Sequence, residues 1–174
     1  MKRSFTSTLV LITICVAVAL LLAITNNITS PIIAEKEAEA VNEALLLVMP
    51  DGIEFTRLDV NGHALPETVT EVYLAKNGGF VFKLVTSGYS SGLSILCGVN
   101  PDGTVSGSTC IASGETLGHE YSFGKSLNGR NYGNVDSVDT VAGATKTTKA
   151  YRNAIKDALS AAEMLKETDW EVGE

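Results

Sequence analysis

The chain has 174 residues and a formal charge of −7, room for a membrane anchor and one modest domain. The acidic balance argues against a nucleic-acid partner, which needs a clustered basic face. With two histidines, three cysteines and no CxxC or HExxH run, the sequence offers no recognisable zinc or iron–sulfur ligand set, and no metal is expected.

Lys2 and Arg3 precede an almost uninterrupted apolar run, Leu9 to Ile24. At about 1.5 Å rise per residue it is slightly short for a ~30 Å hydrocarbon core, and the flanking hydroxyls of Thr6, Ser7 and Thr25 extend it. The competing reading is a cleaved signal peptide, but no small-x-small site closes the run. Positive charge on the amino-terminal side places residues 1–7 in the cytoplasm and the soluble part outside. The expected location is the outer face of a cytoplasmic membrane, reached by a single helix over 8–25.

A connector broken by Pro31 leads into residues 33–48. There Ala34, Ala38, Val41, Leu45 and Val48 recur at helical spacing between glutamates, and Pro50-Asp51-Gly52 stops the pattern. From Glu54 the period moves toward two. Strands are predicted over 54–60, 69–75, 79–85, 92–99 and 104–112, with turns at Asn61-Gly62, Asn77-Gly78-Gly79 and Pro101-Asp102-Gly103. Such regular turns indicate an antiparallel meander. Residues 113–138 are rich in Gly, Ser and Asn without clear period, a long structureless loop of the kind that is often functional. Residues 146–167 close the chain as a helix with Ala150, Ala154, Ala158, Ala161 and Leu165 along one face. The expected fold class is α+β, an antiparallel sheet flanked by helices, over 53–167. It is preceded by a connector and amphipathic helix (26–52) and followed by an acidic tail (168–174) whose Trp170 is a candidate for docking a partner.

Cys15 lies in the apolar run. Cys97 and Cys110 flank the turn at 101–103, and a hairpin centred there pairs Cys97 near Ser106 or Gly107. Cys110 is then about three positions out of register, too far for a disulfide whose Cα atoms must lie within roughly 7 Å. Free thiols are expected.

The candidate site is the run Asp139-Thr140-Val141-Ala142-Gly143-Ala144-Thr145. Small residues at 142–144 allow another molecule close to the backbone. A helix begins at once, and its start offers free N–H groups and a positive dipole end that favour phosphate. Any of the hydroxyls of Thr145, Thr147 and Thr148 could equally serve as an ordinary helix cap. His119 and His63 read as solvated residues.

The run resembles the flavinylation motif Asp-x-x-(Ser/Thr)-Gly-Ala-Thr of the FMN-binding domain family, with Ala142 departing from the usual Ser or Thr. Upstream, Ser87-Gly88-Tyr89, Asn100-Pro101-Asp102-Gly103 and Gly114-Glu115-Thr116 follow the family's order. Beyond Thr116 the match loosens, with Leu117 for Pro, His119 for Leu and Glu120 for Gly. The resemblance covers about Val81 to Ala161.

It implies FMN carried on Thr145 through a phosphoester bond and Asp139 read by a separate ApbE-type flavin transferase. The implied site includes Ala142, Gly143 and Ala144. Glu115 and Thr116 are the candidate polar contacts, and Tyr89, Leu117, Tyr121 and Phe123 the candidate walls. The implied role is the electron-transfer G-type component of a membrane-bound Rnf complex, which couples ferredoxin:NAD⁺ oxidoreduction to Na⁺ or H⁺ translocation. Its partners are then the other membrane subunits. The C-type component of a Na⁺-translocating NADH:quinone reductase and a free-standing flavinylated carrier are the near alternatives. A non-redox membrane-anchored binding or assembly module is the distant one.

Overall fold

The computed structural model describes residues 12, 15, 16, 18, 43–60 and 64–166. Ile12, Cys15, Val16 and Val18 are helical and exposed. Among the described residues no helix is long and apolar enough to cross a membrane, and the rest of the expected helix 8–25 lies outside them. So do the first part of the amphipathic helix, the Asn61-Gly62 turn, His63 and the tail with Trp170.

The compact unit from residue 42 onward is built on one sheet. Strands β1 (Phe55–Leu58), β2 (Val69–Ala75), β3 (Phe80–Thr86), β4 (Leu93–Val99) and β5 (Val105–Ala112) lie in sequence order, each antiparallel to the next. The expected meander is present, with strand ends within a few residues of those predicted. Tight turns explain the order: Gly78 and Gly103 take positive φ, and the Asp102 carboxylate accepts from the Thr104 N–H at 2.9 Å.

Helix α1 (residues 43–48) and Met49 cover one face of the sheet through Leu45 and Val48, against Ala75, Val81 and Leu96. The opposite face carries Phe80, Phe82, Leu84, Ile95 and Cys97 and packs on Tyr151, Ile155, Ala158 and Leu159 of α3 (Thr145–Lys166). Strand β4 is therefore buried on both faces, which is why its sequence reads as a continuous apolar run rather than an alternation. The cross-strand pair Gly98 and Gly107 makes the notch for α1, since a Cβ there would stand 2.5 and 2.8 Å from the Val48 carbonyl oxygen.

Two expectations need correction. Residues 113–138 are not structureless: they hold α2 (Glu120–Phe123) and 3-10 turns at Gly124–Leu127 and Val135–Ser137. Buried Phe123, Leu127, Val135 and Val138 anchor them to the core. Elements of three or four residues are too short to display a period. The hairpin register also differs. An irregularity between Gly98 and Val99 absorbs one residue, so Cys97 faces Ser108 and Cys110 faces Ile95. The offset is therefore shorter than expected. Cys97 and Cys110 are nonetheless free thiols, buried against α3.

Candidate functional site

The carboxyl ends of β3 and β5 and the amino end of β4 share one edge of the sheet, and α3 begins there. The loops at that edge, 87–92 and 113–119, meet the first turn of α3 around a cleft of about 450 Å³, within the range of small-molecule sites. Its walls are Tyr89, Glu115, Thr116, Leu117, Glu120, Gly143, Ala144, Thr145, Lys146 and Thr147.

The three threonines of the first helical turn have separate fates. Thr148 is fully buried, where its hydroxyl donates to the Ala144 carbonyl at 3.0 Å and accepts the Val141 N–H at 3.2 Å. The Thr147 hydroxyl donates to Glu115 Oε2 at 2.6 Å. Thr145 is exposed in the cleft, and its hydroxyl has only a long 3.4 Å contact to the Val141 carbonyl. Thr145 is the first helical residue rather than the cap. Its hydroxyl accepts none of the helix N–H groups, and that of Thr148 accepts from Val141, which precedes α3, so neither side chain caps the helix. The first intrahelical bond runs from the Thr148 N–H to the Ala144 carbonyl at 3.0 Å. The N–H groups of Thr145, Lys146 and Thr147 precede it and constitute the helix's anion-favouring end.

Glu115 ties the cleft together. Oε1 accepts the Ser90 N–H at 2.9 Å while Oε2 holds Thr147, so one carboxylate links both loops to α3. Its oxygens serve protein donors, which makes Glu115 a residue that positions the cleft walls. Gly88 is required by this clamp: a Cβ would lie 2.7 Å from Glu115 Oε1 and 2.9 Å from the Thr147 Cα. Gly143 supplies the turn into α3 at φ +84°, a conformation costly for other residues.

Of the predicted wall residues, Tyr89 and Leu117 line the cleft and are 73% and 61% exposed. The Lys146 ammonium stands 6.0 Å from the Tyr89 ring centroid, at the outer reach of a cation–π contact. Tyr121 is exposed outside the lining. Phe123 is core, edge-on to the Tyr151 ring at 5.7 Å. Asp139 and Ala142 are exposed on the approach to α3, outside the cleft lining. His119 precedes α2 without a side-chain capping bond.

The structure adds four residues that the sequence did not single out as parts of the site: Gly88, Lys146, Thr147 and Glu120. Gly88 carried a signal as part of the family's order, Glu120 as a departure from it, and Thr147 only as a possible cap. Among the described residues no group of three or more His, Cys, Asp or Glu side chains is arranged to hold a metal ion. Burial raises the Cys97 thiol pKa, and burial reinforced by the Glu120 charge raises that of Cys110 to about 11. Both are poor nucleophiles at neutral pH.

Residues 88–160 match the FMN-binding domain family. The chain is 28% identical to the G component of the Na(+)-translocating ferredoxin:NAD(+) oxidoreductase complex of Acetobacterium woodii, over 91% of both chains. It is 25% identical to the G component of the proton-translocating ferredoxin:NAD(+) oxidoreductase complex of Clostridium ljungdahlii, over 83% of this chain and 84% of that one. The G component of the ion-translocating oxidoreductase complex of Cereibacter sphaeroides is 31% identical over 62% of this chain and 53% of its own. Residues 88–160 are thus an FMN-binding domain, in a chain similar over most of its length to the G components of ion-translocating ferredoxin:NAD(+) oxidoreductase complexes.

Proposed function

We propose that this chain is the electron-transfer subunit of an Rnf-type complex and carries FMN as a phosphoester on Thr145. The observation behind this reading is the distribution of hydroxyls at the start of α3. Thr147 and Thr148 are committed to protein partners, and Thr145 alone presents its oxygen to the cleft. The residues present fit the cofactor. The open N–H groups of α3 and the Lys146 ammonium suit a phosphate. Tyr89 and Leu117 offer apolar surface to a ring.

A threonine hydroxyl is a weak nucleophile without an activating base or metal. In the cleft the Glu115 carboxylate is held by Ser90 and Thr147, and the Thr145 hydroxyl contacts the Val141 carbonyl rather than a carboxylate. Attachment is therefore assigned to a separate ApbE-type transferase, which uses Asp139 for recognition: the Thr145 oxygen takes the FMN phosphoryl group from FAD, loses its proton, and AMP leaves. The exposed position of Asp139 suits contact with another protein. Once bound, FMN supplies one- and two-electron chemistry. The chain holds the phosphate end, walls the ring on one side and leaves the cleft open for exchange with neighbouring subunits. The reading places the domain on the outer face of the cytoplasmic membrane, held by the 8–25 helix.

Coexpression with a flavin transferase tests this. A fluorescent band on a denaturing gel is expected for the wild-type chain, and a reporter fused after Glu174 should read out as extracytoplasmic. A dark band would favour the non-redox binding module, and strong activity of a cytoplasm-only reporter would invert the topology.

A further inference from the structure

Glu120 is the cleft residue whose chemistry the clamp and the helix start leave unused. It opens α2, is 2% exposed and lines the cleft together with Leu117, Thr145 and Lys146. Its Oε1 has no hydrogen-bond partner among the described residues. The N–H groups of Ser122 and Phe123 go to the His119 carbonyl, so the start of α2 makes no use of the carboxylate. On the β5 side the neighbour is Cys110, whose thiol donates to the Ala112 carbonyl at 3.4 Å instead. An ionised carboxylate is acceptor-only. A buried acceptor left unmade is costly, more so when charged, and the few that native proteins keep call for an explanation.

We infer that Glu120 is a flavin-tuning residue: its Oε1 accepts a hydrogen bond from a ring N–H of FMN, and its charge holds the flavin's reduction potential down. The inference rests on the reading of the cleft as the FMN site. A phosphate fixed at Thr145 sends the rest of the cofactor along a cleft that Glu120 lines, and an isoalloxazine ring brings the N–H donor that this oxygen, enclosed in the flavin-free protein, lacks. A negative charge beside the ring, shielded from water, opposes the arrival of an electron more strongly than an exposed one would. Glu120 acts on the potential without taking part in attachment.

The test compares Glu120→Gln, which keeps the shape and removes the charge, with Glu120→Asp, which keeps the charge. Both are loaded by coexpression with the transferase, and the loaded fraction is titrated by spectroelectrochemistry. The midpoint potential is expected to move to more positive values in Glu120→Gln and to stay nearer wild type in Glu120→Asp. In flavin-free protein, with Thr145→Val in the background, Glu120→Gln should melt no earlier than its parent. An unmoved potential with the fluorescent band intact overturns the role of Glu120 and leaves the site standing. A lower melting temperature in the flavin-free variant also overturns it, by revealing a protein partner for the carboxylate. Absence of covalent flavin from the wild-type chain overturns the site reading itself.

Discussion

The Thr147 hydroxyl and Glu115 Oε2 lie 2.6 Å apart across 32 residues of sequence. This bond joins the first turn of α3 to the loop after β5, and through Glu115 Oε1 to the loop before β4. It draws all three segments together around the cleft.

Thr147→Val removes the donor while keeping the shape. We expect a loss of about 1–2 kcal/mol, as for a hydrogen bond to a charged acceptor that is partly solvated, with covalent flavin retained. Urea denaturation measures the loss, and hydrogen exchange at the Ser90 amide should accelerate as the clamp loosens. Unchanged exchange there would mean that the loops are held by something other than Glu115.

Gly88→Ala attacks the same clamp from the other side. The added methyl meets Glu115 Oε1 and the Thr147 backbone, so the glutamate or the helix start has to move. Flavin attachment is expected to fall several-fold while the near-ultraviolet spectrum of the core persists. Attachment at the wild-type rate would show that displacing Glu115 or the helix start does not hinder the transferase.

Gly98→Ala and Gly107→Ala separate sheet packing from the site. Each methyl would press on the Val48 carbonyl, a backbone atom with little room to yield, and should cost about 2–3 kcal/mol as overpacking does. Flavin attachment should survive in the folded fraction, since α1 covers the face of the sheet opposite α3. Chemical denaturation and gel fluorescence on the same samples read the two effects apart.

The acid limb of stability is expected to depend on Glu71. The hydrogen bond from Lys83, and then that from Tyr73, hold its pKa below the ordinary 4.5. A depressed folded-state pKa contributes stability above the unfolded value, and the contribution is lost as pH falls through the folded one. Glu71→Gln should therefore narrow the gap to wild type below about pH 4.5 and show its full deficit near neutrality. Melting temperatures from acid to neutral pH check this, and a constant deficit would contradict it.

Much of the fold is legible in the sequence where a short-range signal exists. Val69–Ala75 is rich in β-branched and aromatic residues and ends at a glycine turn, so β2 falls where those signals put it. Glu120–Phe123 and Val135–Ser137 were not legible, because each is fixed by one or two buried anchors rather than by a repeat. The Cys97 register slipped because a bulge leaves no mark on the turn sequence. Within the candidate site, Thr145 is readable from its local run. The exclusive partnering of Thr147 with Glu115 depends on chain segments 32 residues apart, which no spacing rule reveals. Phe123 was a reasonable wall residue by type, yet its ring turns inward to meet Tyr151.

The most direct measurement of the central claim is intact mass, with peptide mapping, of wild type, Thr145→Val, Thr147→Val and Thr148→Val after coexpression with a flavin transferase. The account predicts one added FMN, less water, on the peptide containing Thr145 in wild type, none in Thr145→Val, and retention in the folded fraction of the other two. An FMN mass that survives in Thr145→Val would contradict the assignment.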